Sequence, residues 1–233
     1  MLDVSDLHAG YAGSEVLHGV SLQVGGGEGV VVLGPNGHGK STLLRVLSGL
    51  IRPHRGTVRF DGQDITGWRP DLIAAAGLVH IPQGDLLFPE MTVLENLLMG
   101  AYDRRVWNQR KQRLDLVLEL FPWLAERRSQ LARSLSGGER RMLAIGRGLM
   151  ASAKLLLIDE PSLGLAPAIT ERIYASIASI KATGLPILLA DENANHVSEL
   201  ADRAYLLEMG LLVRECSTAE LLQDETLLAT YLG

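Results

Sequence analysis

A glycine-rich octapeptide, Gly-Pro-Asn-Gly-His-Gly-Lys-Ser, occupies residues 34–41 of the chain. It follows an apolar, β-branched run at residues 30–33 and precedes residues 42–50, where apolar side chains recur at helical spacing. A buried strand, a glycine turn ending in Gly-Lys-Ser and a helix are the three parts of a phosphate-binding loop. The alternative is a glycine-rich hairpin turn, which the flanking strand and helix disfavour. The sequence therefore predicts an α/β fold that binds a nucleoside triphosphate.

The residue types of this loop suit the phosphates of a nucleotide. Glycines allow successive backbone N–H groups to point inward, and a helix N-terminus adds the positive end of its dipole. We expect Lys40 to reach the β- and γ-phosphates and the Ser41 hydroxyl to bind Mg²⁺. The predicted nucleotide-binding residues of the loop are Gly34, Pro35, Asn36, Gly37, His38, Gly39, Lys40, Ser41 and Thr42.

Composition narrows the class of protein. The 233 residues are 47% hydrophobic and 21% charged, as in an ordinary globular protein with a full core. The net charge of −5, without a long basic tract, argues against a nucleic-acid partner. The single Cys216 excludes an internal disulfide and fits a reducing compartment. We expect no signal peptide and no membrane span, so that any membrane role would depend on a partner.

Apolar patterning divides the chain into a mixed core and a helical middle. Strands are predicted at residues 2–7, 16–24, 30–33, 57–60, 78–82, 155–158, 187–190, 204–208 and 211–215. Helices are predicted at residues 42–50, 72–76, 93–99, 110–121, 137–150 and 167–182, and near the C-terminus. Residues 9–13 are expected to form a flexible loop. The pattern indicates one domain with a core at about 1–82 and 150–233 and a helical insertion at about 83–149.

An acidic pair follows one of the apolar strands. Residues 155–158 lead directly into Asp159 and Glu160. Asp159 is placed to hold Mg²⁺, and Glu160 to orient or deprotonate a water molecule. Acids often end apolar strands, so the pair gains its meaning from the phosphate loop upstream.

The segment Leu-Ser-Gly-Gly-Glu at residues 135–139 is the most diagnostic part of the chain. A serine, two glycine N–H groups and a helix N-terminus can bind an anion, although an ordinary capped helix would read similarly. With this segment the chain resembles the ATP-binding cassette (ABC) ATPases over nearly its whole length. The resemblance implies a P-loop NTPase core with a RecA-like parallel sheet, an antiparallel β layer and a helical insertion. It also implies that Ser136, Gly137 and Gly138 cap the γ-phosphate of ATP bound to a second subunit, arranged head to tail.

The resemblance assigns roles to further residues. Tyr11 matches the aromatic residue that stacks on adenine, and Gln83 matches the glutamine that senses Mg²⁺ and links the site to the insertion. Residues 162–165, Ser-Leu-Gly-Leu, match a loop that contacts the second subunit. His38 stands where relatives have a small residue, and we expect it to be solvated.

One position departs from the family pattern. Glu192 aligns with a histidine that contacts the γ-phosphate in relatives. Two unit charges about 4 Å apart repel by roughly 1 kcal/mol in water and roughly 4 kcal/mol at an effective dielectric constant of about 20. An ionised Glu192 facing the phosphate would therefore slow hydrolysis. His196, about 6 Å further along if the segment is helical, is not expected to replace the missing histidine.

The motifs at residues 155–167, 88–101 and 139–149 resemble those of ATPase subunits of branched-chain amino-acid importers. The expected function is ATP hydrolysis that powers a membrane importer of hydrophobic amino acids, on the cytoplasmic face of the membrane. Expected partners are a second ATPase subunit, identical or related, and transmembrane permease subunits docking near Gln83 and residues 86–91. Alternatives are an importer of urea or short amides, a soluble ABC ATPase and, more remotely, a P-loop kinase.

Overall fold

The computed structural model describes residues 1–194 and 200–224. Its centre is a six-stranded sheet in the order β10-β9-β3-β8-β7-β6, parallel except for β10, which pairs antiparallel with β9. The strands are β3 (Gly29–Leu33), β6 (Leu78–Ile81), β7 (Leu155–Asp159), β8 (Ile187–Asp191), β9 (Arg203–Glu208) and β10 (Leu211–Ser217). The predicted parallel core is thereby confirmed.

A second, four-stranded antiparallel sheet packs on one side of the core, in the order β2-β1-β4-β5. Its strands are β1 (Leu2–Tyr11), β2 (Ser14–Val24), β4 (Arg55–Phe60) and β5 (Gln63–Asp64). The loop expected at residues 9–13 is wrong, because β1 continues to Tyr11 and only Ala12 and Gly13 form the turn. Gly13 has a φ of 86°, in the left-handed region that glycine adopts readily.

Residues 1–194 and 200–224 include nine α-helices with defined bounds, besides one turn of 3-10 helix at Ala132–Ser134. They are α1 (Lys40–Leu47), α2 (Pro70–Ala76), α3 (Val93–Gly100), α4 (Arg104–Trp107), α5 (Arg110–Leu120), α6 (Pro122–Glu126), α7 (Gly137–Met150), α8 (Pro167–Ala182) and α9 (Thr218–Gln223). Helix α1 ends three residues earlier than its apolar pattern indicates, because Gly49 adopts a φ of 76° after the Ser48 cap. No described helix is long and apolar enough to cross a membrane.

The central sheet separates two hydrophobic clusters. Val30 and Val32 face the antiparallel sheet and α1, whereas Val31 and Leu33 face the cluster that α7 and α8 share. Because helices and the second sheet cover both faces, the parallel strands are continuous apolar runs. Leu97 of α3 and Val117 of α5 belong to the same cluster as Ile81 of β6. The helices between β6 and β7 therefore pack directly onto the core.

Candidate functional site

The carboxyl ends of three adjacent strands form the candidate nucleotide site. The phosphate loop leaves β3, Glu160 leaves β7 and Glu192 leaves β8. Ligands of open α/β sheets bind at this edge, outside the carboxyl ends of the strands. A cleft of about 190 Å³ opens here, lined by Asn36, Gly37, Gly39, Lys40, Ser41, Thr42, Gln83 and Glu160. The structure thus brings most of the predicted loop residues together with two predicted catalytic residues.

Glycine is required at several points of the phosphate loop. A Cβ atom on Gly34 would lie 2.2 Å from the Leu207 carbonyl oxygen. Gly37 and Gly39 have φ angles of 84° and 107°, in the left-handed region that glycine favours. Around Gly37 nothing would lie within 4 Å of an added Cβ, so this part of the loop is open to a ligand.

Lys40 is enclosed by its own loop and paired with the predicted base. Its Nζ donates to the Gly34 carbonyl at 2.7 Å and to the Pro35 carbonyl at 3.2 Å. It also lies 3.0 Å from Glu160 Oε1, and the two side chains are only 2% and 7% exposed. Gln83 Nε2 donates to the other oxygen, Glu160 Oε2, at 3.2 Å. A phosphate group that bound Lys40 would therefore have to compete with the Glu160 carboxylate.

Ser41 and Asp159 form a set of hard oxygen atoms suited to Mg²⁺. The Ser41 hydroxyl donates to Asp159 Oδ1 at 3.0 Å. Asp159 Oδ2 is buried and has no hydrogen-bond partner within residues 1–194 and 200–224. Burial raises the pKa of Asp159, while the hydrogen bond from Ser41 opposes that rise. The free oxygen and the hydroxyl fit the preference of Mg²⁺ for one or two protein oxygens beside phosphate and water.

Tyr11 lies at the end of β1, where its side chain remains 46% exposed. Its hydroxyl accepts a hydrogen bond from Arg45 Nη1 of α1 at 2.9 Å. The contact ties the ring to the helix that follows the phosphate loop. The Tyr11 ring is thus partly exposed and held in place, and it is available for stacking on a base.

Glu192 points at the phosphate loop. Its Oε2 accepts from Asn36 Nδ2 at 2.5 Å. Asp191 fixes the segment, because its Oδ1 accepts the Glu192 N–H at 2.8 Å and the Asn193 N–H at 3.3 Å. Burial raises the pKa of Asp191, whose Oδ2 accepts from the Tyr174 hydroxyl. His196, which was not expected to replace the missing histidine, lies outside the described residues.

His38 is partly exposed, and one of its ring nitrogens has a partner in the β9–β10 turn. The Met209 N–H donates to His38 Nδ1 at 3.3 Å, and the Gly210 N–H donates to the His38 carbonyl at 3.0 Å. The imidazole is half-buried against the β9–β10 turn. An imidazole nitrogen can accept where a small apolar side chain cannot, so His38 anchors the loop to this turn.

The segment Ser136–Gly138 stands apart from the phosphate loop of the same chain. The Ser136 hydroxyl caps α7, accepting the Glu139 N–H at 3.4 Å and donating to Glu139 Oε2 at 2.8 Å. A Cβ on Gly138 would lie 2.1 Å from Ile169 Cγ2, so close packing of α7 on α8 requires glycine. None of the three residues lines the phosphate cleft described above.

Several residues at the site were not predicted from the sequence. Arg45 holds Tyr11, Tyr174 holds Asp191, and Arg141 is buried beneath the acidic pair. The sequence held one sign that Arg141 is buried: it directly precedes the apolar residues Met142 and Leu143 in a helix that packs on the core. The partners of Arg45 and Tyr174 are far away in sequence and left no such signal.

Comparison with known proteins gives consistent similarities. The ABC transporter family model matches residues 17–163. BraG, the high-affinity branched-chain amino acid transport ATP-binding protein of Pseudomonas aeruginosa, is 42% identical over 233 residues, covering all of both chains. The lipopolysaccharide export system ATP-binding protein LptB of Escherichia coli is 34% identical, covering 100% of this chain and 97% of LptB. A crystal structure of an ATP-binding cassette in its ADP conformation is 29% identical, covers 100% and 98% of the two chains, and has a TM-score of 0.84.

Proposed function

Because the chain belongs to the ABC transporter family, we propose that it is the subunit that binds and hydrolyses ATP to power a membrane importer. The proposed cargo is a branched-chain or other hydrophobic amino acid, by similarity to BraG. Such a subunit would lie on the cytoplasmic face of the membrane. The observation that carries the proposal is the convergence of Lys40, Gln83 and Glu160 in one cleft, beside Ser41 and Asp159.

Each of these residues has a chemical task in hydrolysis. The phosphates of ATP bind the loop N–H groups and Lys40, while Tyr11 stacks on the adenine. Mg²⁺, held by Ser41 and Asp159 with Gln83 nearby, would neutralise charge on the phosphates. Glu160, released from Lys40, accepts a proton from the water whose oxygen attacks the γ-phosphorus, and the bond to the β-phosphate oxygen breaks.

The segment Ser136–Gly138 is proposed to serve a second subunit. It lies at the N-terminus of α7, where backbone N–H groups and the helix dipole favour an anion, yet it does not line its own chain's phosphate cleft. A head-to-tail pair of subunits, identical or related, would place it over the partner's ATP. Residues 162–165 would then contact the other subunit.

Ser136→Arg should therefore impair the partner's site and spare the chain's own. The large cation would block the approach of the partner's γ-phosphate, while Lys40 stays in place. Photolabelling of a mixed dimer with one tagged subunit, followed by single-turnover kinetics of each site, measures the two effects separately. Ser179→Arg, on the outer surface of α8, is the control and should leave both sites unchanged. Loss confined to the mutated chain's own phosphate loop would contradict the head-to-tail arrangement.

An apolar groove offers a place for the permease. It has a volume of about 530 Å³ between the core and the inserted helices, and its lining includes Leu86, Phe88, Met99 and Tyr102. These four side chains are exposed although they are large and apolar. Arg147 lies over the Phe88 ring, 5.7 Å from its centroid, at the rim. Exposed apolar surface of this kind suits a short helix of a membrane subunit. Leu87, also expected to dock, packs against the core instead.

Reconstitution tests the proposed function. The chain should co-purify with permease subunits encoded in the same genome, and its ATPase rate in proteoliposomes should rise when a solute-binding protein loaded with leucine or valine is added. Stimulation by urea or short amides would favour the alternative importer, and stimulation by lipopolysaccharide would favour an exporter. ATP hydrolysis without any association with permeases would point to a soluble ABC ATPase.

The position of Glu192 gives a separate prediction. Its carboxylate, held at the phosphate loop by Asn36, should repel the γ-phosphate and slow hydrolysis. Glu192→His should raise the ATPase rate by roughly tenfold, and Glu192→Gln by less, because glutamine removes the repulsion without adding a cation. Steady-state ATPase assays at matched subunit concentration measure this. Glu126→His, on the exposed surface of α6, is the control; equal rates in all forms would contradict an inhibitory Glu192.

A further inference from the structure

Arg141 is a buried cation whose hydrogen-bonding capacity is filled by the main chain. It lies on α7, five positions after Ser136, and is 3% exposed. Burial lowers the pKa of its guanidinium, and nearby carboxylates oppose that shift. A guanidinium has five N–H donors in a planar fork. The structure gives Arg141 five hydrogen bonds, one for each donor, and every acceptor is a backbone carbonyl.

The five carbonyls belong to two separate segments of the site. Nη1 donates to Pro82 and Gly84, both at 2.7 Å, on either side of Gln83. Nη2 donates to Asp159 at 2.5 Å and to Glu160 at 3.1 Å, and Nε donates to Pro161 at 3.0 Å. A single side chain thus fixes the backbone on both sides of the contact between Gln83 and Glu160.

Glu160 has particular need of such support. Its φ is 41°, in the left-handed region that residues with a side chain rarely adopt without support from their surroundings. Its N–H donates to the Ala190 carbonyl at 2.9 Å, and its carbonyl accepts from Arg141. These two bonds hold the peptide groups on both sides of the residue. The carboxylate is consequently directed at Lys40 and Gln83.

We propose that Arg141 is a positioning residue for hydrolysis, which sets Gln83 and Glu160 relative to each other through their backbones. The proposal rests on the proposed ATPase function for its kinetic part. Within residues 1–194 and 200–224, the hydrogen bonds of Arg141 go to residues 82–84 and 159–161 and none goes to the phosphate loop, so we expect nucleotide binding not to depend on it. Lysine cannot replace it, because a compact ammonium has three donors and no planar fork.

The test compares Arg141→Lys with Arg203→Lys. Arg203 is also bonded several times, to Glu28, Tyr205 and Glu215. It is the first residue of β9 and so lies at the amino ends of the parallel strands, opposite the phosphate loop. We expect Arg141→Lys to lower kcat by roughly 30-fold while KM and the Kd for ATP stay within about twofold. Arg203→Lys should lower the Tm and leave kcat unchanged.

Hydrogen exchange in the nucleotide-free protein gives a second readout that does not need ATPase activity. In Arg141→Lys, the amides of residues 83–86, 159–160 and 162–163 should exchange faster, whereas those of residues 36–41 should not. Normal kcat with normal exchange would overturn the proposal, as would a fall in kcat together with a loss of ATP affinity.

If Arg141→Lys does not fold, Arg141→Gln is measured in the same way. Unfolding of both variants would make Arg141 a folding residue and equally overturn the proposal. An inactive wild type would refute the proposed ATPase function, and the exchange result would still decide about Arg141.

Discussion

Lys40→Ala should abolish ATP binding. The variant removes the buried ammonium that lies inside the phosphate loop, 2.7 Å from the Gly34 carbonyl. A charge-assisted contact to phosphate contributes about 1.5–3 kcal/mol, and Lys40 is expected to make more than one, so the Kd should rise by at least about 100-fold. Equilibrium titration with a fluorescent ATP analogue measures the change. Lys154→Ala, which removes an exposed lysine paired with Asp61, should bind normally. Near-normal affinity in Lys40→Ala would refute nucleotide binding at this loop.

The same variant has a second effect, because Lys40 also neutralises Glu160. Removing one member of a buried ion pair typically costs about 3–5 kcal/mol, since the other charge is left without compensation. Lys40→Ala should therefore also unfold more easily in urea. The double variant Lys40→Ala with Glu160→Gln has no such charge and should recover part of the stability. Its ATP binding should remain lost, which separates the binding defect from the folding defect.

Glu160→Gln should bind ATP but turn it over roughly 100-fold more slowly or worse, because an amide cannot accept the proton of the attacking water. The neutral side chain also stops competing with the phosphates for Lys40, so affinity should not fall. The ATP-bound dimer should therefore accumulate. Gel filtration with ATP and single-turnover assays measure the two effects.

A matched control for this variant is Glu171→Gln, on the exposed side of α8. It should form no additional dimer and should hydrolyse ATP at the wild-type rate. Unchanged turnover in Glu160→Gln would show that another group accepts the proton. Loss of ATP binding in that variant would instead mean that the carboxylate helps to build the loop.

Much of the fold was predictable because its signals are local. Ser136 and Glu139 form a capping box, and the helix they begin ends at Met150, as the apolar pattern indicates. The parallel strands were equally clear, since residues 30–33, 155–158 and 187–190 are apolar throughout. By contrast, the end of β1 at Tyr11 depends on its pairing with β2 and on the turn at Gly13. The alternation of apolar and polar residues alone does not reveal either of these.

The electrostatic details of the site were not predictable in the same way. The motifs indicated that Lys40 and Glu160 share a site, but not that they form an ion pair across 120 positions of sequence. The hydrogen bond from Asn36 to Glu192 depends on β3 and β8 being neighbours in the sheet. The contact of His38 with the Met209 N–H was equally invisible, because Met209 belongs to a turn more than 170 residues away. Such contacts follow from topology and not from local residue patterns.

The pairing of Lys40 with Glu160 also bears on how the reaction products leave. When the cleaved phosphate departs, the Glu160 carboxylate is a tethered anion whose local concentration at Lys40 does not depend on solution conditions. In the proposed reaction it would occupy the lysine at once, so free phosphate would compete poorly for the emptied loop. The same carboxylate that accepts the proton of the attacking water would then also hinder rebinding of the released phosphate.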